Sequence, residues 1–293
     1  MSGLKFYLVD VFGQEKYTGN QLAVFVNAGD LSTAHMQKIA NEMHFSETTF
    51  ILTDDKYLGG YDVRIFTPTS EIPFAGHPTL GTAYIIKHFM ADDKEGKIVL
   101  NLKVGQIPVS FEKDGDLETL WMKQVPPVFG EVFATSRLAK VLQLKEEDFD
   151  TRFPIQEVST GFPFIIVPIK TVDAAKRATV NVSFLREMAG EVRGGILIFC
   201  SQTVRGDTDL HVRVFADLFG IPEDPATGSA NGCLAGYLLH YRYFGTDEID
   251  ASVEQGIEMG RPSLLLLKAH KSGDLMQVEV GGRVSLVAEG KLA

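Results

Sequence analysis

A chain of 293 residues is long enough for two domains of roughly 150 residues each. Hydrophobic residues make up 45% and charged residues 23%, the values of a globular protein, which excludes disorder and fibrous repeats. Lys and Arg total 28 against 38 Asp and Glu, a formal charge of −10. That balance excludes an extended cationic face for nucleic acid or an anionic membrane, while a small anionic substrate could still be held by local positive charge. Two cysteines, Cys200 and Cys233, make neither a disulfide framework nor a Cys-rich zinc site. The start, MSGLKFYLVD, lacks a signal-peptide pattern, and no apolar run approaches the roughly 18 residues of a membrane helix, so a cytoplasmic protein is expected.

In chain order, alternation and β-branched content predict strands at 5–12, 22–26, 48–53, 61–66, 97–102 and 107–112. A second series follows at 156–159, 164–169, 195–200, 210–215, 264–268 and 277–287. Helical patterns cover 33–43, capped by Ser32 or Thr33, and 78–89, with Pro78 at its first position. Others cover 172–177, 182–189 and 230–241. The stretch QVPPVFG at 124–130, with two prolines and a glycine, reads as the linker between the two series.

An internal repeat joins the two series. Val63-Arg64-Ile65-Phe66 recurs as Val212-Arg213-Val214-Phe215, and the run from Ala75-Gly76-His77 to Ile86 resembles the run from Thr227-Gly228-Ser229 to Leu238. Gly19–Phe25 more faintly echoes Gly161–Val167. Three matches in the same order point to a duplicated domain. Each repeat ends in a helix that is apolar on nearly all sides, the mark of a helix threading the core of a strand-rich domain. The first turns differ in character, carrying Gly, His, Ser, Thr and Asn. Unpaired N–H groups and the positive end of the helix dipole make such a start an anion site without Lys or Arg. These same polar residues also serve as ordinary caps and turns, and both readings of Thr227, Ser229 and His77 are open at this point.

Proton-transfer chemistry needs a carboxylate in an apolar setting, where desolvation raises its pKa. Glu47 opens a strand between Phe45 and Phe50, and Asp224 sits in the Pro-flanked loop that leads into the second buried helix. The competing readings are a solvated strand-start glutamate and a turn aspartate bonded to its own backbone. The sequence carries no P-loop, no H-E-x-x-H, no EF-hand and no C-x-x-C, and its paired glycines at 194–195 precede a strand where a dinucleotide fingerprint would follow one. No metal and no cofactor are expected. Cys200 and Cys233 read as inert core thiols.

Asp10-Val11-Phe12, Thr18-Gly19-Asn20-Gln21-Leu22-Ala23-Val24, Ser46-Glu47-Thr48-Thr49-Phe50, Arg64-Ile65-Phe66-Thr67-Pro68, Phe74-Ala75-Gly76-His77-Pro78-Thr79-Leu80-Gly81 and Glu223-Asp224-Pro225-Ala226-Thr227-Gly228-Ser229-Ala230 together resemble the phenazine-biosynthesis PhzF family, in order from about residue 6 to 240. The resemblance implies the diaminopimelate-epimerase-like α+β fold: two similar pseudo-symmetric domains, each a mostly antiparallel, barrel-like sheet around a central helix, with the site between them. The expected domains are 1–122, with a strand near 283–292 as a candidate to complete it, and 128–282. The resemblance also implies Glu47 as the acid/base carboxylate and His77 and Asp224 as its catalytic companions. Ser46, Gly76, Thr227, Gly228 and Ser229 would hold a small carboxylate substrate, and family members are commonly homodimers.

The reaction so implied is a proton shift: Glu47 removes a proton from an activated carbon and returns it elsewhere on the same face, which asks for a pKa of roughly 6 to 7. In the family's best-known member the substrate is a dihydro-hydroxyanthranilic acid. Two other readings stand beside this one. A two-base racemase or epimerase, the chemistry of the wider fold, would need a base on each face; the usual cysteine positions are Ala75 and Thr227 here, which leaves Glu47 with Asp224. A non-catalytic binding protein would keep the cleft and lose the chemistry. Internal retention of a deuterium label, incorporation of solvent label, or binding without conversion separates the three.

Overall fold

In a computed structural model the described residues are 3–90, 96–188, 190, 192–273 and 275–293. The chain divides into two compact units, Met1–Lys123 with Gly281–Ala293, and Gln124–Val280.

The first unit opens with β1 (Lys5–Val11) and β2 (Asn20–Phe25), then α1 (Thr33–Met43), β3 (Glu47–Ile51), β4 (Tyr61–Phe66), β5 (Glu71–Ile72) and α2 (Gly76–Ile85), which runs into a π turn at Ile86–Met90. It continues with β6 (Lys97–Leu102), β7 (Gly105–Asp114) and β8 (Leu117–Lys123). β1 and β2 are antiparallel, β2 and β3 parallel, β3 and β4 antiparallel. β4 pairs with β5 at one end and runs parallel to β6 at the other, and β6, β7 and β8 form an antiparallel meander. α2 touches β1, β2, β3, β6, β7 and β8, so the sheet curls around it. That is why its sequence is apolar on every side. Gly81 permits the close approach: a Cβ there would lie 2.6 Å from Leu22 and 2.9 Å from Val11. The other face of the sheet packs Ala23, Phe25, Phe50 and Phe66 against Met36, Ile39 and Ala40 of α1. α1 begins where Ser32 accepts from the His35 N–H and ends at His44 in the left-handed region.

The second unit repeats the plan with β9 (Val128–Phe133), α3 (Thr135–Leu142), β10 (Ile155–Ser159), β11 (Pro163–Pro168), α4 (Val172–Arg177), α5 (Val182–Glu187), β12 (Gly195–Cys200), β13 (Leu210–Ala216), β14 (Ile221–Asp224), α6 (Gly228–His240), β15 (Glu248–Gln255), β16 (Ser263–Ser272) and β17 (Leu275–Gly282). β9–β10 and β10–β11 are antiparallel, β11–β12 parallel, β12–β13 and β13–β14 antiparallel, β13–β15 parallel and β15–β16 antiparallel. α6 lies on β10, β11, β12, β15 and β16. The outer face carries α3, α4 and α5 over Ile165, Val167, Ile196 and Ile198. The chain ends in β18 (Val284–Lys291), which returns to the first unit as the antiparallel partner of β1. Strand for strand, β18-β1-β2-β3-β4-β6-β7 follows the same directions as β9-β10-β11-β12-β13-β15-β16.

Several elements differ from the sequence reading. β5, β8, β9, α3, β14 and β15 carried no prediction, and Val128–Gly130 of the supposed linker belongs to β9. The predicted strand at 277–287 is two strands, broken at Arg283, whose carbonyl accepts from the Phe12 N–H at 2.7 Å. α2 starts at Gly76, so Pro78 is its third residue; the whole first turn lacks intrahelical acceptors, and a ring there loses nothing. α5 ends at Glu187, and Ala189 of that predicted helix lies outside the described residues. No helix of the described residues is long and apolar enough to cross a membrane.

Candidate active site

In the first unit, Glu47 is the first residue of β3 and stands opposite Leu22 of the parallel strand β2. Side chains alternate along a strand, so Glu47 shares a face with Thr49, whose hydroxyl lies 2.8 Å from that of Thr82 on α2. Glu47 is therefore turned to the central helix. Phe50 is on the opposite face, stacked on Phe25 and edge-on to Phe66, and Phe45 packs against the same cluster. The two rings expected to desolvate Glu47 thus belong to the outer core. What crowds Glu47 is His77, the second residue of α2, only 4% exposed, with Nε2 3.5 Å from Glu47 Oε2.

Burial drives the His77 pKa down to about 3, and a hydrogen bond from the ring to the Gln21 backbone carbonyl opposes this only in part. At neutral pH the imidazole is uncharged, so its contact with Glu47 is not a salt bridge. A neutral ring has one N–H. Among the described residues Nε2 has no hydrogen-bond partner, which assigns the N–H facing Gln21 to the other nitrogen and leaves a lone pair toward Glu47. Ser46, just before Glu47, is half-buried. Gly76 begins α2 behind an N-cap, Ala75, that has no capping side chain, so the first-turn N–H groups are presented without a competitor.

In the second unit Asp224 ends β14 and is 8% exposed. Thr227, the N-cap of α6, donates its hydroxyl to Asp224 Oδ2 at 2.5 Å and does not cap the helix; Gly228 is buried at the helix start and Ser229 is half-buried beside it. Within each unit the expected residues therefore gather at one place: Ser46, Glu47, Gly76 and His77 in the first, Asp224, Thr227, Gly228 and Ser229 in the second.

The repeated VR-x-F strand has a mechanical part. Arg64 on β4 grips Glu71 through two hydrogen bonds of 2.8 Å, five residues before Gly76. Arg213 on β13 grips Glu223 through bonds of 2.8 and 2.9 Å, five residues before Gly228. Each clamp fixes the loop that aims a helix start, and Arg64 holds the Glu71 carboxyl down at about 2. Among the described residues no group of three or more His, Cys, Asp or Glu is placed to hold a metal ion.

Known proteins resemble the chain along nearly its whole length. The model of the phenazine biosynthesis-like proteins matches residues 9–290. The chain belongs to the phenazine biosynthesis-like (PhzC-PhzF) family. A trans-2,3-dihydro-3-hydroxyanthranilate isomerase of Pseudomonas aeruginosa is 32% identical over 289 residues, covering 98% of each chain. A PhzF-family protein of Bacillus anthracis superposes with a TM-score of 0.90 over 100% of both chains at 27% identity. A hydroxyproline epimerase of Agrobacterium vitis shares the fold, with a TM-score of 0.67 over 100% of this chain and 91% of the other at 10% identity. Like its family, the chain is an isomerase with the α+β, epimerase-like fold.

Two polar residues beside Asp224 and Thr227 escaped the sequence reading. Asn231 on α6 and Gln255 at the end of β15 are both fully buried and bonded to each other at 2.8 Å. A signal for Gln255 was present: Ile249, Ala251 and Val253 alternate along β15, and Gln255 is the next residue in that inward phase.

Proposed function

We propose that this PhzF-family chain moves a proton within a small cyclic or amino-acid-like carboxylate without a cofactor, with Glu47 as the acid and base. The observation that carries this reading is the contact between Glu47 Oε2 and a His77 nitrogen that is buried, neutral and unprotonated. Two acceptors facing each other at 3.5 Å become a hydrogen bond only when the carboxyl carries a proton. His77 thus offers an acceptor to a proton that Glu47 has taken up, which suits a group that takes a proton at one carbon and returns it at another. His77 steadies the proton on Glu47 and orients it, Asp224 is the second proton-handling group, and each uncapped helix start, α2 with Ser46 and Gly76 and α6 with Thr227, Gly228 and Ser229, offers an anion site for a substrate carboxylate.

The test begins with trans-2,3-dihydro-3-hydroxyanthranilate, the substrate in the names of several relatives, and a panel of cyclic and amino-acid-like carboxylates. With a converted compound, Glu47→Gln should lower kcat by roughly 10²–10⁴-fold with little change in substrate binding. Near-normal turnover by that variant refutes the assignment. Deuterium placed on the carbon that loses its proton should reappear in part within the product; complete exchange with solvent would favour the two-base reading with Glu47 and Asp224.

A further inference from the structure

Because the two units repeat one plan, each residue of one has a register partner in the other. Ile65 stands opposite Ile72 where β4 meets β5, and Val214 opposite Asp224 where β13 meets β14. Asp62 stands opposite Asn101 where β4 meets β6, and His211 opposite Glu254 where β13 meets β15, so the next positions are Leu102 and Gln255. The helix N-caps are Ala75 and Thr227. Around these positions the halves agree: Glu71 and Glu223 are clamped by arginine, and Pro73 and Pro225, like Gly76 and Gly228, correspond. At three positions they differ together. The first unit has Ile72, Ala75 and Leu102; the second has Asp224, Thr227 and Gln255. The scaffold therefore closes with three apolar residues here, and burying a polar trio at the same place costs desolvation that folding does not demand.

The trio is wired with one polarity. Gln255 is fully buried. Its amide oxygen accepts from the Thr227 N–H at 3.2 Å and from Asn231 Nδ2 at 2.8 Å, and its amide nitrogen donates to the Asp224 carbonyl at 2.8 Å. A backbone N–H only donates and a backbone carbonyl only accepts, so the orientation of the amide is fixed. The same nitrogen donates to Thr227 Oγ1 at 3.1 Å. The single hydroxyl proton of Thr227 is thereby directed to Asp224 Oδ2, 2.5 Å away.

We infer that Gln255 is a positioning residue: through Thr227 it holds Asp224 as a charged hydrogen-bond acceptor at Oδ2. The inference rests on the reading that Asp224 takes part in the proton shift. It sets the halves apart chemically, with Glu47 beside a neutral His77 acceptor in one and Asp224 beside a hydroxyl donor in the other. The charged and titratable groups on elements packed around Asp224 are Arg213 and His211 on β13, Glu223 on β14, Cys233, Tyr237 and His240 on α6, Glu248, Asp250 and Glu254 on β15, and Glu258 and Arg261 in the turn after it. Arg213 is engaged with Glu223, and His211 lies 2.8 Å from Glu254 and 3.3 Å from Glu258.

The experiment is a carboxyl-carbon NMR titration of the full chain labelled at aspartate, with the Asp224 signal identified by its loss in Asp224→Asn. Thr227→Val and Gln255→Met should each raise the Asp224 midpoint by about one pH unit, because an ionised carboxylate loses its donor or the group orienting that donor. Thr227→Ser should restore it. An unchanged midpoint in both variants, or a lowered one in Thr227→Val, overturns the inference, since a lowered midpoint would make Asp224 the donor. Thr227→Val is nearly isosteric and carries the test alone if Gln255→Met does not fold. The acid limb of kcat/KM should move with the midpoint. A moved midpoint with an unmoved limb upholds the relay and removes Asp224 from the reaction.

Discussion

His77 shows how a residue's role follows from its burial more than from its type. A histidine at a helix start is usually read as a cation in waiting, but enclosure between β3 and α2 holds this one neutral down to a pKa of about 3. That depression has a stability consequence with a definite sign. The unfolded chain binds a proton near pH 6.5 and the folded chain does not until about pH 3. The contribution of His77 is complete above about 6.5 and is lost progressively as the pH falls toward 3. Over the interval from pH 7 to pH 5 the loss is about 2 kcal/mol, at 1.36 kcal/mol for each unit below the unfolded midpoint. Urea unfolding of His77→Gln should show a shallower decline over that interval by about this amount, and an equal decline would show that the histidine is already charged in the folded protein. His77 was marked as a candidate by Ala75-Gly76-His77-Pro78. Its charge state was not legible there, because the strands that enclose it are brought together only by the fold.

At the scale of elements, the repeated arginines are the parts most exposed to mutational test. Arg213 is 8% exposed, and besides Glu223 it donates to the carbonyls of Ala175 and Ala178 at the end of α4, at 2.6 and 2.9 Å. Arg64 is 24% exposed and adds only the Thr33 hydroxyl at 3.0 Å. Arg213→Met strands two carbonyls and a half-buried carboxylate, and should cost about 3–5 kcal/mol; Arg64→Met strands no carbonyl and leaves Glu71 a second cation, Lys103 at 2.7 Å, and should cost about 1–2 kcal/mol. Denaturant midpoints of the two variants would give that order, and a reversal would show that the first clamp is the stronger. The VR-x-F repeat makes both strands readable in the amino-acid order itself, along with α2 and α6, whose mostly apolar composition beyond the first turn marks a buried helix. β9 and β15 were missed for a physical reason. Val128-Phe129-Gly130-Glu131 follows two prolines and has water on much of its surface, and in Glu248–Gln255 the inward alternation of Ile249, Ala251 and Val253 is diluted by Glu248, Asp250 and Glu254, residues that strands disfavour. Their pairing partners supply what the local sequence lacks.

For the molecule as a whole, the duplication is read best from register, because two strands of equal direction and partner can differ in every side chain. It also shows where the halves part in construction. Gln124–Val280 is a continuous segment, whereas the first unit is discontinuous and completed by the last strand of the chain. That strand, β18, covers β1 from Lys5 opposite Lys291 to Val11 opposite Val284. Leu292 packs against the outer core of the first unit, and the carbonyl of Arg283 takes the Phe12 N–H where β1 ends. A chain ending at Gly282 would leave β1 bonded on one side only, with its other edge open to water or to a second molecule. Nothing comparable is removed from the second unit, where β9 closes β10 from within the continuous segment. Hydrogen exchange on the truncated chain should therefore show lost protection in β1 and β2, at residues such as Tyr7 and Val24, with Ile196–Phe199 of β12 remaining protected. Uniform loss across both sets would mean that the two units fold as one cooperative block, and full retention in β1 would mean that the first unit closes without its last strand.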